Sequence, residues 1–228
     1  MIYLNKHEKS LLPKALIITA MATSLCTTFY LTFVTEKELI PWLQPYKITG
    51  DLYRNAILLS CFVVYFIRLS FTMIIFFQRK LHWVEAILIT NIMPFIIPYM
   101  AFIGGQKNQR ISFIEIIGVV FFLIGSYLNS RSEHLRNIWK QKKENAGHVY
   151  TEGLFKYAIH INYLGDIILF VGLAMVANSI KLFIIPGSMA LIFIMILIPL
   201  KEKYLEEKYG DEFREYESNT KKIIPFIY

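Results

Sequence analysis

The sequence predicts an all-α fold, a polytopic membrane helix bundle with six to seven transmembrane helices. Three observations carry that expectation. Hydrophobic residues make up 55% of the chain and charged residues only 18%, against about 25% charge in an average soluble domain. The mean hydropathy is +0.46, so the 228 residues hold more apolar surface than one soluble core can hide. The apolar residues also fall into long runs near the roughly 20 residues that a spanning helix needs. A soluble dinucleotide-binding enzyme, a secreted disulfide scaffold and a disordered tail are excluded on these grounds.

Six runs qualify as spans, at about 12–34, 54–77, 82–104, 111–128, 163–180 and 182–199. The first is too long for a signal-peptide core and lacks a small-residue cleavage site, so it reads as a retained helix. The stretch around 154–162 reads as a short re-entrant or interfacial helix, which makes a seventh element. From Lys201 onward a charged tail reads as a helix running off the last span. There is no internal repeat, and residues 1–228 read as a single integral membrane domain. Cys26 and Cys61 lie in apolar runs without metal-binding spacing, and the five histidines have none either.

The net charge of +7 reads as cytoplasmic loops rather than as a nucleic-acid surface, because lysine and arginine concentrate on the cytoplasmic side of membrane proteins. With six spans, 17 of the 24 basic residues fall on one side: the N-terminal segment, Arg79 and Lys80, Arg131 to Lys156, and Lys201 to Lys222. Six fall on the other side and Arg68 lies inside a span. Both termini and the 129–156 loop are therefore expected in the cytoplasm, and the protein in a bacterial inner membrane or the endoplasmic reticulum.

Three polar constellations interrupt the apolar pattern. Arg68 sits about 14 Å from the cytoplasmic end of the second span at 1.5 Å per residue, a depth where arginine costs roughly 2.5–3.5 kcal/mol. It is expected to face the bundle interior or a wet cavity. Tyr65 is one turn earlier on nearly the same face, where a cation favours charge on the phenol oxygen and makes the hydroxyl a better donor. The second constellation is Asn129, Glu133, Arg136 and Lys140, an amide, a carboxylate and two cations at helical spacing just beyond the fourth span. It suits a ligand that carries both donors and phosphates, or simply an anionic lipid surface. The third runs from Gly153-Leu154-Phe155-Lys156-Tyr157 through His160 to Asn162-Tyr163-Leu164-Gly165-Asp166. It places an amide and a carboxylate four residues apart at the mouth of a span, either as helix-capping groups or as a binding edge. No phosphate-binding glycine loop and no nucleophile–base–acid order stands out.

In this order, the three constellations and the terminal Ile223-Ile224-Pro225-Phe226-Ile227-Tyr228 resemble the steroid 5-alpha-reductase family. The wider superfamily also holds sterol reductases, polyprenol and enoyl-CoA reductases and isoprenylcysteine carboxyl methyltransferases. The likeness is strongest over 129–228, a steroid-reductase-like cofactor-binding part. It implies about seven helices, NADPH as cofactor entering from the cytoplasm, and a lipid-like substrate entering from the bilayer. By the same resemblance Asn129, Glu133, Arg136, Lys140, Asn162, Tyr163, Asp166, Tyr204 and Arg79 match cofactor contacts. Tyr65, with Arg68, matches the donor to a substrate carbonyl, and Glu38 or Gln44 stands where the family carries a catalytic glutamate after the first span. The chain also differs from the family: Ile196 and Leu200 replace an arginine and a histidine of steroid reductases. Ile159-His160-Ile161-Asn162-Tyr163 lacks the arginine and proline of the methyltransferases. The function expected is NADPH-dependent reduction of a carbon–carbon double bond in a steroid, sterol, enoyl or polyprenyl lipid. The alternatives are an S-adenosylmethionine-dependent methyltransferase and a non-catalytic lipid-binding protein.

Overall fold

The computed structural model describes residues 10–34, 46–77 and 80–227. Among these residues the chain is all-helical, a polytopic membrane protein as expected. Its helices are α1 (Leu11–Phe33), α2 (Leu52–Phe71), α3 (Trp83–Gly105), α4 (Phe113–Gln141), α5 (Ile161–Val176), α6 (Ile184–Ile192), α7 (Ile198–Tyr209) and α8 (Asp211–Asn219). Among the described residues five stretches are long and apolar enough to cross a membrane: 11–33, 52–76, 83–105, 113–141 and 180–209. The sixth expected span is α5, at 16 residues.

Three sequence expectations need correction. Residues 129–141 are not loop but the last three turns of α4. The stretch near 154–162 holds a 3-10 turn at Gly153–Lys156 and the first two residues of α5. It is not helical throughout, because Gly153 has φ +60° and the backbone of Ala158, Ile159 and His160 is tied to Lys221 and Lys222 instead. The charged tail does run off the last span as a helix, but only to Tyr209; a second helix follows, set off by Gly210 at φ +57°, a conformation that residues with a Cβ adopt only under strain. The carbonyl of Gly210 then accepts from the N–H groups of Phe213 and Arg214 and opens α8.

The chain forms two compact units. The first comprises the described residues of Lys6–Phe122 with Val171–Phe183. In it α1 packs on α2 and α3, burying Ile17, Met21, Leu58, Phe62 and Met100. Helix α3 carries Pro94 and Pro98. Pro98 has no N–H for the carbonyl four residues back, and that carbonyl, on Pro94, accepts from the Ser24 hydroxyl of α1 instead. Near the other end of α3, Arg54 is fully buried. It donates to Glu115 Oε1 at 2.7 Å and to the carbonyls of Lys107 and Gln109 at 3.0 and 2.9 Å, so one side chain closes the turn that joins α3 to α4.

The second unit comprises Leu123–Phe170 with Ile184–Tyr228 among the described residues. Val149, Ile159, Phe213 and Tyr216 form one core cluster, and Tyr150, Phe155, Ala158 and Ile161 another. The Tyr216 hydroxyl donates to the Phe155 carbonyl at 2.6 Å and joins the two. The run from α6 to α7 passes through a π-helical turn at Phe193–Leu197. Pro199 follows one residue later, and its ring clashes with the carbonyl four residues back unless the preceding turn widens.

Helices α4 and α5 touch through glycines. In the first unit a Cβ on Gly118 would lie 2.8 Å from the Gly172 carbonyl oxygen. In the second, a Cβ on Gly165 would lie 2.8 Å from the Gly125 carbonyl oxygen and 2.7 Å from the Asn129 nitrogen. Within each helix the two glycines, Gly118 and Gly125 in α4 and Gly165 and Gly172 in α5, are seven residues apart, two helical turns. Small residues allow this backbone approach, on which helix packing in lipid depends.

Candidate cofactor site

The close approach of α4 and α5 determines which polar groups meet. Gly165 immediately precedes Asp166, so the backbone contact at Gly165 carries the next carboxylate alongside Asn129. Asn129 Nδ2 donates to Asp166 Oδ2 at 3.0 Å and to the Asn162 carbonyl at 3.1 Å. Asn162 Nδ2 donates to Glu133 Oε1 at 3.0 Å, and Glu133 accepts from Arg136 through its other oxygen. The structure thus brings five of the expected residues, Asn129, Glu133, Arg136, Asn162 and Asp166, into one hydrogen-bonded chain. Asn129 and Glu133 are buried at 6% and 8% exposure. Both atoms that Asn129 Nδ2 faces are acceptors, which fixes the orientation of its amide.

The arrangement is rich in acceptors. Asp166, Glu133 and Asn129 Oδ1 suit the N–H and O–H donors of a ligand, and Arg136 and Lys140 further along α4 suit its anionic groups. Arg136 also lies over the Phe155 ring, 5.2 Å from its centroid. Lys140 is exposed. Tyr163 stacks at 5.5 Å on His160 and at 4.6 Å on Phe193. Tyr204 is flanked by Lys201 and Lys208, 5.5 and 5.7 Å from its ring centroid. Ile196 and Leu200, the two departures from the steroid-reductase pattern, are exposed.

Sequence reasoning missed a second network beside this one. His160 is buried, and its Nε2 lies 3.2 Å from Glu202 Oε1. Glu202 Oε2 accepts from Lys222 at 2.6 Å, and Lys222 also reaches Glu217 at 3.1 Å. Burial pushes the His160 imidazole below its ordinary pKa, and Glu202 opposes that shift. Burial therefore favours the neutral imidazole. With a carboxylate as its neighbour, Nε2 carries the proton. Glu202 and Lys222 sit in charged runs that give no periodic signal, and the motif around His160 has no spacing that points to either of them.

In the first unit Tyr65 is buried. The Arg68 guanidinium lies over its ring, 5.3 Å from the centroid, and its hydroxyl is 4.0 Å from Met93 Sδ. Arg68 is half-buried, so the pairing expected one turn apart is present with the cation on the ring face. Glu38, Gln44 and Arg79 lie outside the described residues.

Residues 67–220 match the family model described as "Protein of unknown function (DUF1295)". The chain belongs to this family. DUF1295 is steroid 5-alpha-reductase-like, and its match takes in Arg68 and the whole of α4 to α8, with Tyr65 just outside. Among curated proteins, the chain is similar to 3-oxo-5-alpha-steroid 4-dehydrogenase 1 of Rattus norvegicus, 20% identical over 185 residues, covering 76% of this chain and 68% of the relative. It is 28% identical over 112 residues to 3-oxo-5-alpha-steroid 4-dehydrogenase 2 of Mus musculus, covering 49% of this chain and 42% of the relative. It is 27% identical over 113 residues to 3-oxo-5-alpha-steroid 4-dehydrogenase 1 of Homo sapiens, with 50% and 42% covered. Against the latter two, the DUF1295 chain matches less than half of the relative's length.

Proposed function

We propose that this chain is an integral membrane reductase that uses NADPH to saturate a carbon–carbon double bond in a lipid, of steroid, sterol, enoyl or polyprenyl type. The hydrogen-bonded chain Asp166–Asn129–Asn162–Glu133–Arg136 carries the reading. It combines buried acceptors with a cation in a family related to steroid reductases. The fit to a dinucleotide rests on one orphan: Asn129 Oδ1 is buried without a hydrogen-bond partner, an acceptor that a ligand N–H would satisfy.

In this reading Asn129, Asn162 and Asp166 orient the cofactor, and Arg136 with Lys140 faces its phosphates. Tyr163 and Tyr204 provide aromatic walls. NADPH, when bound, supplies the hydride. A double bond conjugated to a carbonyl lets the resulting charge build on oxygen. The Tyr65 hydroxyl donates a hydrogen bond to that oxygen, with Arg68 beside the ring, and the resulting enolate takes a proton from solvent at the carbon next to the carbonyl, which completes the reduction. A donor of this kind contributes roughly 2.7–4 kcal/mol in other enzymes. The basic excess in 129–156 and beyond Lys201 supports a cytoplasmic C-terminus, on the side where NADPH is available.

The test is cofactor binding by the detergent-purified protein, with NADPH, NADH and S-adenosylmethionine compared directly. NADPH is expected to bind. Asn162→Ala and Glu133→Ala should each weaken it roughly 10- to 150-fold, the loss of a hydrogen bond to a charged partner. Binding of S-adenosylmethionine alone, or unchanged NADPH affinity in both variants, overturns the reading.

A further inference from the structure

Two buried polar atoms on α4 have no hydrogen-bond partner, Asn129 Oδ1 and Ser126 Oγ. They are three residues apart, so they share a helix face at roughly 5–6 Å between their Cβ atoms. Such orphans are uncommon in folded proteins and each calls for a cause. Ser126 is unusual among its neighbours in kind. A serine in an apolar helix ordinarily donates to the carbonyl four residues back, as Ser60 does to Ala56 at 2.8 Å and Ser70 to Phe66 at 2.9 Å in α2. Ser126 makes no such bond. Asn129 is more than nine-tenths buried, and its Nδ2 is engaged by Asp166 and the Asn162 carbonyl. Its oxygen is left as an acceptor with nothing to accept.

An acceptor and a hydroxyl donor at this separation complement one planar group that carries an N–H and an acceptor on neighbouring atoms. We propose that Ser126 and Asn129 form an amide-recognition subsite, in which Asn129 Oδ1 accepts the ligand's N–H and the Ser126 hydroxyl donates to the acceptor beside it. This rests on the NADPH reading above and deepens it. NADPH offers the complementary edge at both ends: the carboxamide of its nicotinamide, and the amino group and ring nitrogen of its adenine. Ser126 lies on the apolar side of Asn129, within the run 111–128 that the sequence marks as membrane-crossing. That favours the nicotinamide, the end whose chemistry has to reach a lipid.

The experiment measures the affinity of the purified full-length protein for three reduced dinucleotides. They are NADPH, its 3-acetylpyridine analogue, which replaces the amide nitrogen by a methyl group, and its hypoxanthine analogue, which lacks the adenine amino group. The expected result is that the acetylpyridine analogue binds about fivefold or more weakly than NADPH, the loss of one hydrogen bond, and the hypoxanthine analogue binds equally. The reverse order keeps the subsite and assigns it to the adenine edge. Ser126→Ala should weaken NADPH by a similar factor. The ligand-free variant should melt no lower than wild type, because an orphan hydroxyl has been removed. Equal affinity of wild type for all three, or unchanged NADPH affinity in Ser126→Ala, overturns the subsite and leaves the cofactor reading standing. No binding of NADPH by wild type removes the cofactor reading and the subsite with it.

Discussion

Replacing Glu115 by glutamine should unfold the first unit at a markedly lower temperature. The side chains of Arg54 and Glu115 are 0% and 1% exposed, so neither charge has water to fall back on. Glu115 Oε1 accepts from Arg54 and from Asn178 Nδ2 at 3.0 Å. Its Oε2 accepts from the backbone N–H of Ser112 at 2.9 Å and from the Ser112 hydroxyl. All four partners are donors, so a glutamine has to turn its own NH2 toward donors whichever way it flips. The carbonyls of Lys107 and Gln109 still support Arg54, but its counter-charge is gone. Breaking a buried ion pair from one side costs about 3–5 kcal/mol, and for a chain of this size each kcal/mol is worth about 2–4 °C. The expected drop in melting temperature is therefore about 6–20 °C. It can be followed by a thiol-reactive dye at Cys61, which is 5% exposed, in a Cys26→Ser background. Ser112→Ala serves as the control and should cost about 1 kcal/mol. If Glu115→Gln melts within about 2 °C of wild type, or no lower than the control, the pair does not hold this turn and the reasoning fails.

Gly165→Ala should cost about 1–3 kcal/mol or more by overpacking, since the new Cβ meets the backbone of Asn129 and Gly125 rather than a yielding side chain; the same dye assay reads it, together with loss of NADPH affinity. His160 provides a pH test. Its folded-state pKa lies below the ordinary 6.5, so the unfolded chain binds the proton first, and the stability His160 contributes is complete above 6.5 and is lost as pH falls through that value. The groups facing it are Glu202, Lys222 and Lys201. Melting curves of wild type and His160→Gln should therefore converge as the pH falls below 6.5, and a constant gap between them contradicts the assignment. Tyr65→Phe should lower turnover of an enone lipid by roughly two to three powers of ten with NADPH affinity unchanged, and wild-type turnover in that variant removes Tyr65 from the mechanism.

Much of this architecture was legible in the sequence, for reasons that also explain what was not. Helix positions follow from hydropathy, and the five spans fall within a few residues of the apolar runs at their starts. Their ends were harder, because α4 continues through the charged residues beyond Asn129, which are helix formers as much as they are solvent-facing. Asn129 with Glu133 and Asn162 with Asp166 were each visible as four-residue spacings. That they interlock was not, because it depends on α4 and α5 meeting backbone to backbone. The signal for that contact was present as Gly118 with Gly125 and Gly165 with Gly172, the same seven-residue interval in two helices. The interior position of Arg54 was hidden for a related reason. A basic residue at the start of a span reads as a loop charge, and only its carbonyl and carboxylate partners, 53 to 61 positions away, show that it is interior. Glu202 and Lys222 were hidden among residues of their own kind.

The backbone bonds from Ile159 to Lys221 and from His160 to Lys222 also have a consequence in time. They join residues 62 positions apart, immediately before the helix that carries Asn162 and Asp166. At about 5–20 residues per second, a ribosome makes the first strand of that bridge some 3–12 s before the second exists. Through that interval the start of α5 has its amides but not their acceptors, so the turn that leads into Asn162 takes its final form only after the last helices have been synthesised. A nascent chain stalled before Lys221 should already have its membrane helices and still bind no nucleotide.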